Sequence, residues 1–68
     1  MKLPEKILYC RKRAGLSQEE LAGRLGVSRQ AVSKWETGEA QPELSKLAPL
    51  AAELGVSVDW LLSDAEPE

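Results

Sequence analysis

Side chains with strong hydrogen-bonding heads recur between residues 29 and 34, at a spacing that places them along one face of a helix. An arginine can hold guanine through two hydrogen bonds and a glutamine can hold adenine in the same way, and each such pair discriminates against another base by about 1–3 kcal/mol. The pattern therefore predicts that these side chains contact the edges of bases: Arg29, Gln30, Ser33 and Lys34. Taken alone, a polar helix face is more often simply solvated, so the neighbouring elements decide between the two interpretations.

Two short helices joined by a tight turn are predicted to position these residues. Ser17 can form a capping box at the start of a helix over residues 18–25, and Gly26 can end that helix in a left-handed conformation. Ser28 can cap a second helix over residues 29–36. The inward face of this second helix is apolar and holds Ala31, Val32 and Trp35. A helix whose N-terminal end is exposed after such a turn is the one that helix-turn-helix proteins insert into the major groove of DNA.

The rest of the chain also has helical periodicity, and no stretch shows the alternation typical of a strand. Further helices are predicted over residues 4–14, 43–54 and 58–63. The fold class is therefore all-α, a compact five-helix domain over residues 1–63. Residues 64–68 are acidic and poor in apolar side chains, so they are expected to form a tail or the start of a linker. Pro49 lies inside the fourth predicted helix and should kink it or delay its start.

Apolar periodicity also predicts which residues the outer helices bury. The fourth predicted helix should bury the stripe Leu44, Leu47, Ala48, Ala51 and Leu54. The first should turn inward Ile7, Cys10, Arg11 and Ala14, and the last should bury Leu62 together with either Trp60 or Leu61. Cys10 is most simply a small buried hydrophobic residue; the alternative, a reactive thiol, needs an activating partner that the sequence does not identify.

The composition of the 68 residues excludes several functions. The chain has no histidine and a single cysteine, so neither an internal disulfide nor a zinc site of thiolates and imidazoles is expected. No cofactor, metal or small-molecule ligand is predicted, and the protein is not expected to be an enzyme. No apolar run approaches the roughly 20 residues of a membrane span, and the single cysteine suits a reducing cytoplasm.

Charge is unevenly distributed along the chain, although the net charge is only −2. Residues 1–36 hold eight Lys or Arg against four Glu, whereas residues 37–68 hold Lys46 alone against seven acidic residues. This distribution predicts one basic face and one acidic face. The basic face is compatible with nucleic acid, because binding depends on the local electrostatic field more than on the total charge.

Several motifs in the right order resemble the phage repressor and Cro type of helix-turn-helix protein, the xenobiotic-response-element group with the lambda-repressor-like fold. They are RKRAGLSQEELA over residues 11–22, GVS over residues 26–28, WETG over residues 35–38 and LGVSVDWLL over residues 54–62. The resemblance covers about residues 5–63. It implies a sequence-specific DNA-binding regulator of transcription, acting as a repressor, that binds a palindromic operator in double-stranded DNA as a homodimer.

The resemblance also implies roles for individual residues. Phosphate contacts fall on Ser17, Gln18, Ser28 and Arg13, while the base contacts fall on the four residues already named. Arg11 and Glu36 match an ion pair that joins the first helix to the end of the third, which explains an arginine on an inward face. The dimer surface is expected around Val56 and Val58.

A protein-interaction module is the competing interpretation. The same fold can serve as an antitoxin or as a regulatory docking domain with weak or no DNA binding. The acidic second half of the chain favours this alternative, and so does Glu39, which would repel a phosphate.

Overall fold

The computed structural model describes residues 1–67, and five helices lie within that range. They are α1 (Leu3–Arg13), α2 (Gln18–Leu25), α3 (Arg29–Thr37), α4 (Leu44–Leu54) and α5 (Val58–Leu62). The observed helices differ from the predicted ranges by at most one residue at either end. α1 lies one residue earlier than predicted, α3 ends one residue later, α4 begins one residue later and α5 ends one residue earlier. The last residue of the predicted tail, Glu68, lies outside the described residues.

Serine side chains fix where three of the helices begin. The hydroxyl of Ser17 accepts the N–H of Glu20 at 3.0 Å, and the Glu20 carboxylate accepts the N–H of Ser17 at 2.9 Å. Ser28 caps α3 and Ser57 caps α5 through the same type of bond to the backbone N–H three residues on. These bonds satisfy N–H groups that have no partner within the helix, so the helix starts are determined locally.

The core lies between all five helices, with α3 packed against α1 and α2, and with α5 packed against α1 and α4. Its buried members are Ile7, Cys10, Leu21, Ala22, Leu25, Val32, Trp35, Leu50, Ala51, Leu54 and Leu61. Leu61 is the wholly buried residue of α5, while Trp60 is half-buried and Leu62 is 56% exposed. The expectation that Leu62 is buried was therefore wrong. A five-residue helix turns only one narrow face to the core, and Leu61 occupies it.

The buried face of α4 is rotated from the predicted one. Leu44 is 85% exposed and Ala48 is also exposed, whereas Leu50, absent from the predicted stripe, is wholly buried. The observed stripe follows the i, i+3, i+4, i+7 spacing and comprises Leu47, Leu50, Ala51 and Leu54. Both stripes have helical spacing, and packing against the other helices selects the one that contains Leu50. Ala14 likewise lies beyond the end of α1 and is exposed.

Pro49 lies inside α4, and the helix continues through it. Proline has no backbone N–H, so the helical hydrogen bond to the carbonyl of Ser45, four residues earlier, is missing. Pro49 and Ser45 are both exposed, so that carbonyl is on the solvent side of the helix. α4 begins one residue later than predicted, at Leu44.

Lys6 is wholly buried, which the sequence pattern did not predict. Its ammonium group donates to the carbonyl oxygens of Trp60 and Ser63, at 2.6 Å each, and to the Ser63 hydroxyl at 3.2 Å. It also lies 4.4 Å from the centroid of the Trp60 ring. The three N–H donors of a lysine are thereby matched by three oxygens at the negative C-terminal end of α5. The hydrogen bonds of Lys6 thus connect α1 to the C-terminal end of α5.

Asp64 and Glu66 lie against the two residues that precede α1. The Met1 amino group pairs with the Glu66 carboxylate at 2.5 Å, and the Lys2 ammonium lies 3.8 Å from the Asp64 carboxylate. The Lys2–Asp64 pair is almost fully exposed, so it contributes little to stability.

Candidate nucleic-acid interface

The turn between α2 and α3 fixes the direction of α3. Gly26 has a φ of 69°, a left-handed conformation that ends α2 without the steric cost of a Cβ atom. Val27 then packs partly against the core, and Ser28 caps α3. Val32 and Trp35 are 0% and 5% exposed, so the inner face of α3 is anchored. The outer face is consequently held in one orientation.

The structure brings the predicted base-contacting residues together on that outer face. Arg29, Gln30 and Lys34 are exposed, and Ser33 between them is half-buried. Three of these positions carry long polar side chains on the first two turns of α3, next to the turn that follows α2. Such a ridge is available for contact with another molecule.

A chain of hydrogen bonds supports the base of this ridge. The Arg11 guanidinium donates from Nε to Glu36 Oε2 at 2.6 Å and from Nη2 to Glu36 Oε1 at 3.1 Å. Arg11 also donates from Nη1 to the carbonyl of Leu16 at 2.9 Å. The two paired side chains are only 10% and 4% exposed. The ion pair expected between α1 and the end of α3 is therefore present, and its bidentate geometry satisfies the buried charges.

Gln18 extends this chain to the exposed face. Its Nε2 donates to Glu36 Oε1 at 2.9 Å, and its Oε1 accepts from Arg29 Nη1 at 3.3 Å. Sequence reasoning assigned Gln18 and Arg29 separate roles and did not predict their contact. Residues 11 positions apart on two different helices meet only because the turn sets the angle between those helices.

Ser17 and Ser28 are exposed at the N-termini of α2 and α3, where backbone N–H groups favour an anion. Two acidic residues share the first turn of α2, Glu19 and Glu20. The Ser17 backbone N–H bound to Glu20, helped by the Ser17 hydroxyl, holds the pKa of that carboxyl below its usual range. Glu39, just past α3, accepts a hydrogen bond from the Thr37 hydroxyl at 3.2 Å and adds a further negative charge.

Arg13 lies apart from the other predicted contact residues. Its guanidinium is 5.5 Å from the centroid of the Tyr9 ring, and it lines a cleft with Val56, Trp60 and Glu66. Arg11 turns towards α3, whereas Arg13 turns towards α5, because the two residues are about 200° apart around a helix. The structure therefore does not bring Arg13 to the outer face of α3.

Residues 1–67 give little support for metal binding or for a reactive thiol. No group of histidine, cysteine and acidic residues in that range is arranged to hold a metal ion. Cys10 is 0% exposed, and burial raises the pKa of its thiol against the opposing charges of Arg13 and Lys6. A thiol held in its protonated form is a poor nucleophile, which favours the hydrophobic interpretation of Cys10. In the same range, every helix is too short or too polar to cross a bilayer.

These features define a helix-turn-helix domain. α2 is capped, a glycine turn follows it, and α3 buries one face while it exposes a polar face. The helix-turn-helix family model matches residues 7–61, and the chain belongs to that family.

Relatives in this family are regulators of transcription. The chain is 45% identical over 58 residues to the SPbeta prophage-derived uncharacterized HTH-type transcriptional regulator YonR of Bacillus subtilis. That match covers 85% of this chain and 54% of YonR, so the chain spans about half the length of this relative.

Solved structures agree with this assignment. The P22 c2 repressor protein, in complex with the synthetic operator 9T, superposes with a TM-score of 0.90 at 34% identity, covering 96% of this chain and 98% of that one. SinR, the master regulator for biofilm formation, in complex with DNA, superposes with a TM-score of 0.81 at 34% identity, covering 90% and 98%. The five-helix, lambda-repressor-like fold expected from the sequence is confirmed.

Proposed function

We propose that this protein is a sequence-specific DNA-binding regulator of transcription that inserts α3 into the major groove. One observation carries the proposal: the turn after α2 presents Arg29, Gln30 and Lys34 on an exposed face while Val32 and Trp35 anchor the opposite face. A helix held this way presents its N-terminal half to base edges. The relatives named as regulators, and the neighbours solved on DNA, support the same reading.

The contacts divide into those that specify a sequence and those that position the domain. Bases are read by Arg29, Gln30, Ser33 and Lys34. Phosphates are bound at the exposed starts of α2 and α3 by Ser17, Gln18 and Ser28, where helix N-termini favour anions. Arg13 stays a proposed phosphate contact that would reach the DNA from a different part of the domain, because its side chain lies beside α5.

A homodimer on a palindromic operator completes the proposal. Val56 lies just before α5 and Val58 begins it, and both are half-buried, while Leu62 exposes an apolar side chain at the end of the helix. Pairing of two such surfaces would place two copies of α3 about 34–36 Å apart, one turn of DNA. Repression is the expected outcome, since a neighbouring structure is a repressor on an operator. The proposed location is the cytoplasm, which fits a regulator that resembles bacterial relatives.

Selection of binding sites from a random DNA pool tests the proposal directly. The wild-type protein should enrich a palindromic site, and Arg29→Ala or Lys34→Ala should lose preference among sequences. Each lost bidentate contact should reduce discrimination by about 1–3 kcal/mol. Circular dichroism should show both variants folded, because both side chains are exposed. Equal binding of the selected site by both variants and the wild type would show that α3 is not the reading helix.

A protein-interaction module is the second candidate, and Glu39 favours it. This exposed carboxylate lies two residues past the end of α3. The resemblance implies a phosphate contact at this position, and a carboxylate would repel a phosphate. A titration of random duplex DNA with increasing salt separates the candidates. Affinity that falls steeply with salt supports DNA binding, because phosphate contacts release counterions. Undetectable binding at low salt supports docking to a protein.

A further inference from the structure

Lys46 is the only basic residue between positions 37 and 68, and it lies half-buried in the first turn of α4. Its ammonium group donates to the backbone carbonyl of Leu25 at 3.0 Å. Leu25 is the last residue of α2, and the carbonyls of a final helical turn have no partner within their own helix. The bond therefore joins α4 to the point where α2 ends and the turn to α3 begins.

A second polar contact joins the same two helices, about two turns further along α4. Arg24 Nη1 donates to Glu53 Oε1 at 3.1 Å, and the two side chains are 56% and 31% exposed, so this pair contributes little. The acceptor of Lys46 belongs to a buried residue, because Leu25 is only 5% exposed. The positive charge of Lys46 also faces the negative pole of the α2 dipole. The end of α2 therefore depends more on Lys46 than on the exposed ion pair.

The bond to Lys46 acts on the peptide unit that opens the turn. The carbonyl of Leu25 and the N–H of Gly26 belong to one planar group, so fixing the oxygen also fixes the orientation of the N–H. That N–H donates back to the carbonyl of Gly23 at 3.4 Å. The plane of the Leu25–Gly26 peptide is thus held on both sides, by α4 and by α2. Its orientation determines the direction in which the chain leaves α2 towards α3.

We infer that Lys46 is a positioning residue, which holds the turn so that α3 keeps the angle at which it reads bases. The inference rests on the proposed function. Without this bond, α3 would sample a wider range of angles relative to α2. Hydrogen bonds to base edges require a fixed geometry, whereas the electrostatic attraction of phosphates acts on any sequence. Lys46 therefore contributes to the choice between DNA sequences and not to the affinity for DNA in general.

Lys46→Met tests the inference, because methionine keeps most of the aliphatic length and removes the ammonium group. The affinities for the operator selected from the random pool and for random duplex DNA are measured at fixed salt, and their ratio gives the specificity. We expect Lys46→Met to lower this ratio by about fivefold or more, the discrimination of one base contact. Lys46→Arg, which can also donate to a carbonyl, should restore most of it. Lys2→Met removes the same charge from an 82% exposed side chain and should leave the ratio unchanged.

Two other roles of Lys46 predict different results. If Lys46 bound a phosphate, Lys46→Met would weaken binding to operator and random DNA by the same factor and reduce the salt slope by about one. If the bond only stabilised the fold, the variant would unfold at a lower denaturant concentration, and the folded protein would keep the wild-type ratio. Either result would overturn the inference. Lys46→Ala, which has the highest helix propensity, replaces Lys46→Met if the latter does not fold.

Amide hydrogen exchange tests the same contact without DNA. The N–H groups of Gly26 and Val27 donate to carbonyls of α2, and the N–H of Cys10 in α1 provides a reference for global stability. Relative to that reference, the two turn amides should exchange about tenfold faster in Lys46→Met than in the wild type. Equal relative rates would contradict a positioning role. If the wild type does not distinguish operator from random DNA, the proposed function fails, and the exchange rates still decide whether Lys46 holds the turn.

Discussion

Lys6 places an ammonium group inside a small core, and its environment explains why that is tolerated. The group is wholly buried, yet the Trp60 carbonyl, the Ser63 carbonyl and the Ser63 hydroxyl accept its hydrogen bonds. Hydrogen bonds to a charged group contribute more than neutral ones, and the end of α5 adds the negative pole of its helix dipole. A buried lysine of this kind has a structural role and is not evidence of catalysis.

Removing that ammonium group should destabilise the domain. Lys6→Met keeps the aliphatic length but leaves the carbonyl of Ser63 without its donor, so we expect a loss of about 1–3 kcal/mol in the free energy of unfolding. Chemical denaturation followed by circular dichroism measures it. Lys2→Met is the matched control: the Lys2 side chain is 82% exposed, and its loss should change stability by less than about 0.5 kcal/mol. Equal stabilities of Lys6→Met and Lys2→Met would contradict this role.

At the scale of helices, the sequence predicted α2 and α3 well because their ends are determined locally. Ser17 and Ser28 bond to N–H groups three residues away, and Gly26 takes a left-handed conformation that other residues avoid. The rotation of α4 was not predictable in this way. Leu44 and Leu50 both suit a helical stripe, and only the packed neighbours decide which is buried. Contacts with residues distant in sequence determine which face of α4 is buried, and such contacts also determine the burial of Lys6.

The candidate site also combines features that local sequence determines with features that depend on long-range packing. Helical spacing alone placed Arg29 and Lys34 on an exposed face. The contact between Arg29 and Gln18 depends on the angle between two helices, which no local pattern encodes. Arg13 was assigned to the phosphate contacts by resemblance, and the structure places it in a cleft beside Trp60. Its phosphate contact stays a prediction.

Gly23 gives a prediction for α2. It is helical and exposed, and a Cβ atom added there would meet no heavy atom within 4 Å. Gly23→Ala should therefore raise the free energy of unfolding by about 0.5–1 kcal/mol, since alanine restricts the unfolded chain and creates no clash. Thermal unfolding measures the effect. Gly26→Ala provides the contrast: its φ of 69° is strained for alanine, so that variant should be less stable than the wild type.

For the whole molecule, the proposed function requires a chain of net charge −2 to bind a polyanion. Position 39 offers a test, because Glu39 lies just past α3 and next to Thr37. Glu39→Lys should raise the affinity for random duplex DNA and steepen the slope of log K against log salt by about one, the signature of a new phosphate contact.

Asp64→Lys separates a local contact from a change in net charge. It alters the total charge by the same amount at a 94% exposed side chain beside the start of α1. We expect little change in the salt slope for this variant. Equal effects of both substitutions would mean that overall charge, and not the surface beside α3, governs binding.

The bonds from Lys6 to Trp60 and Ser63 span 54 and 57 residues of sequence. A five-residue helix has almost no stability of its own, so α5 forms only when the first helix is already in place. During translation, the chain therefore cannot complete its fold until residue 63 has left the ribosome. A stop codon a few residues earlier would remove the Ser63 oxygens that receive this ammonium, and the nascent domain would become a target for proteases.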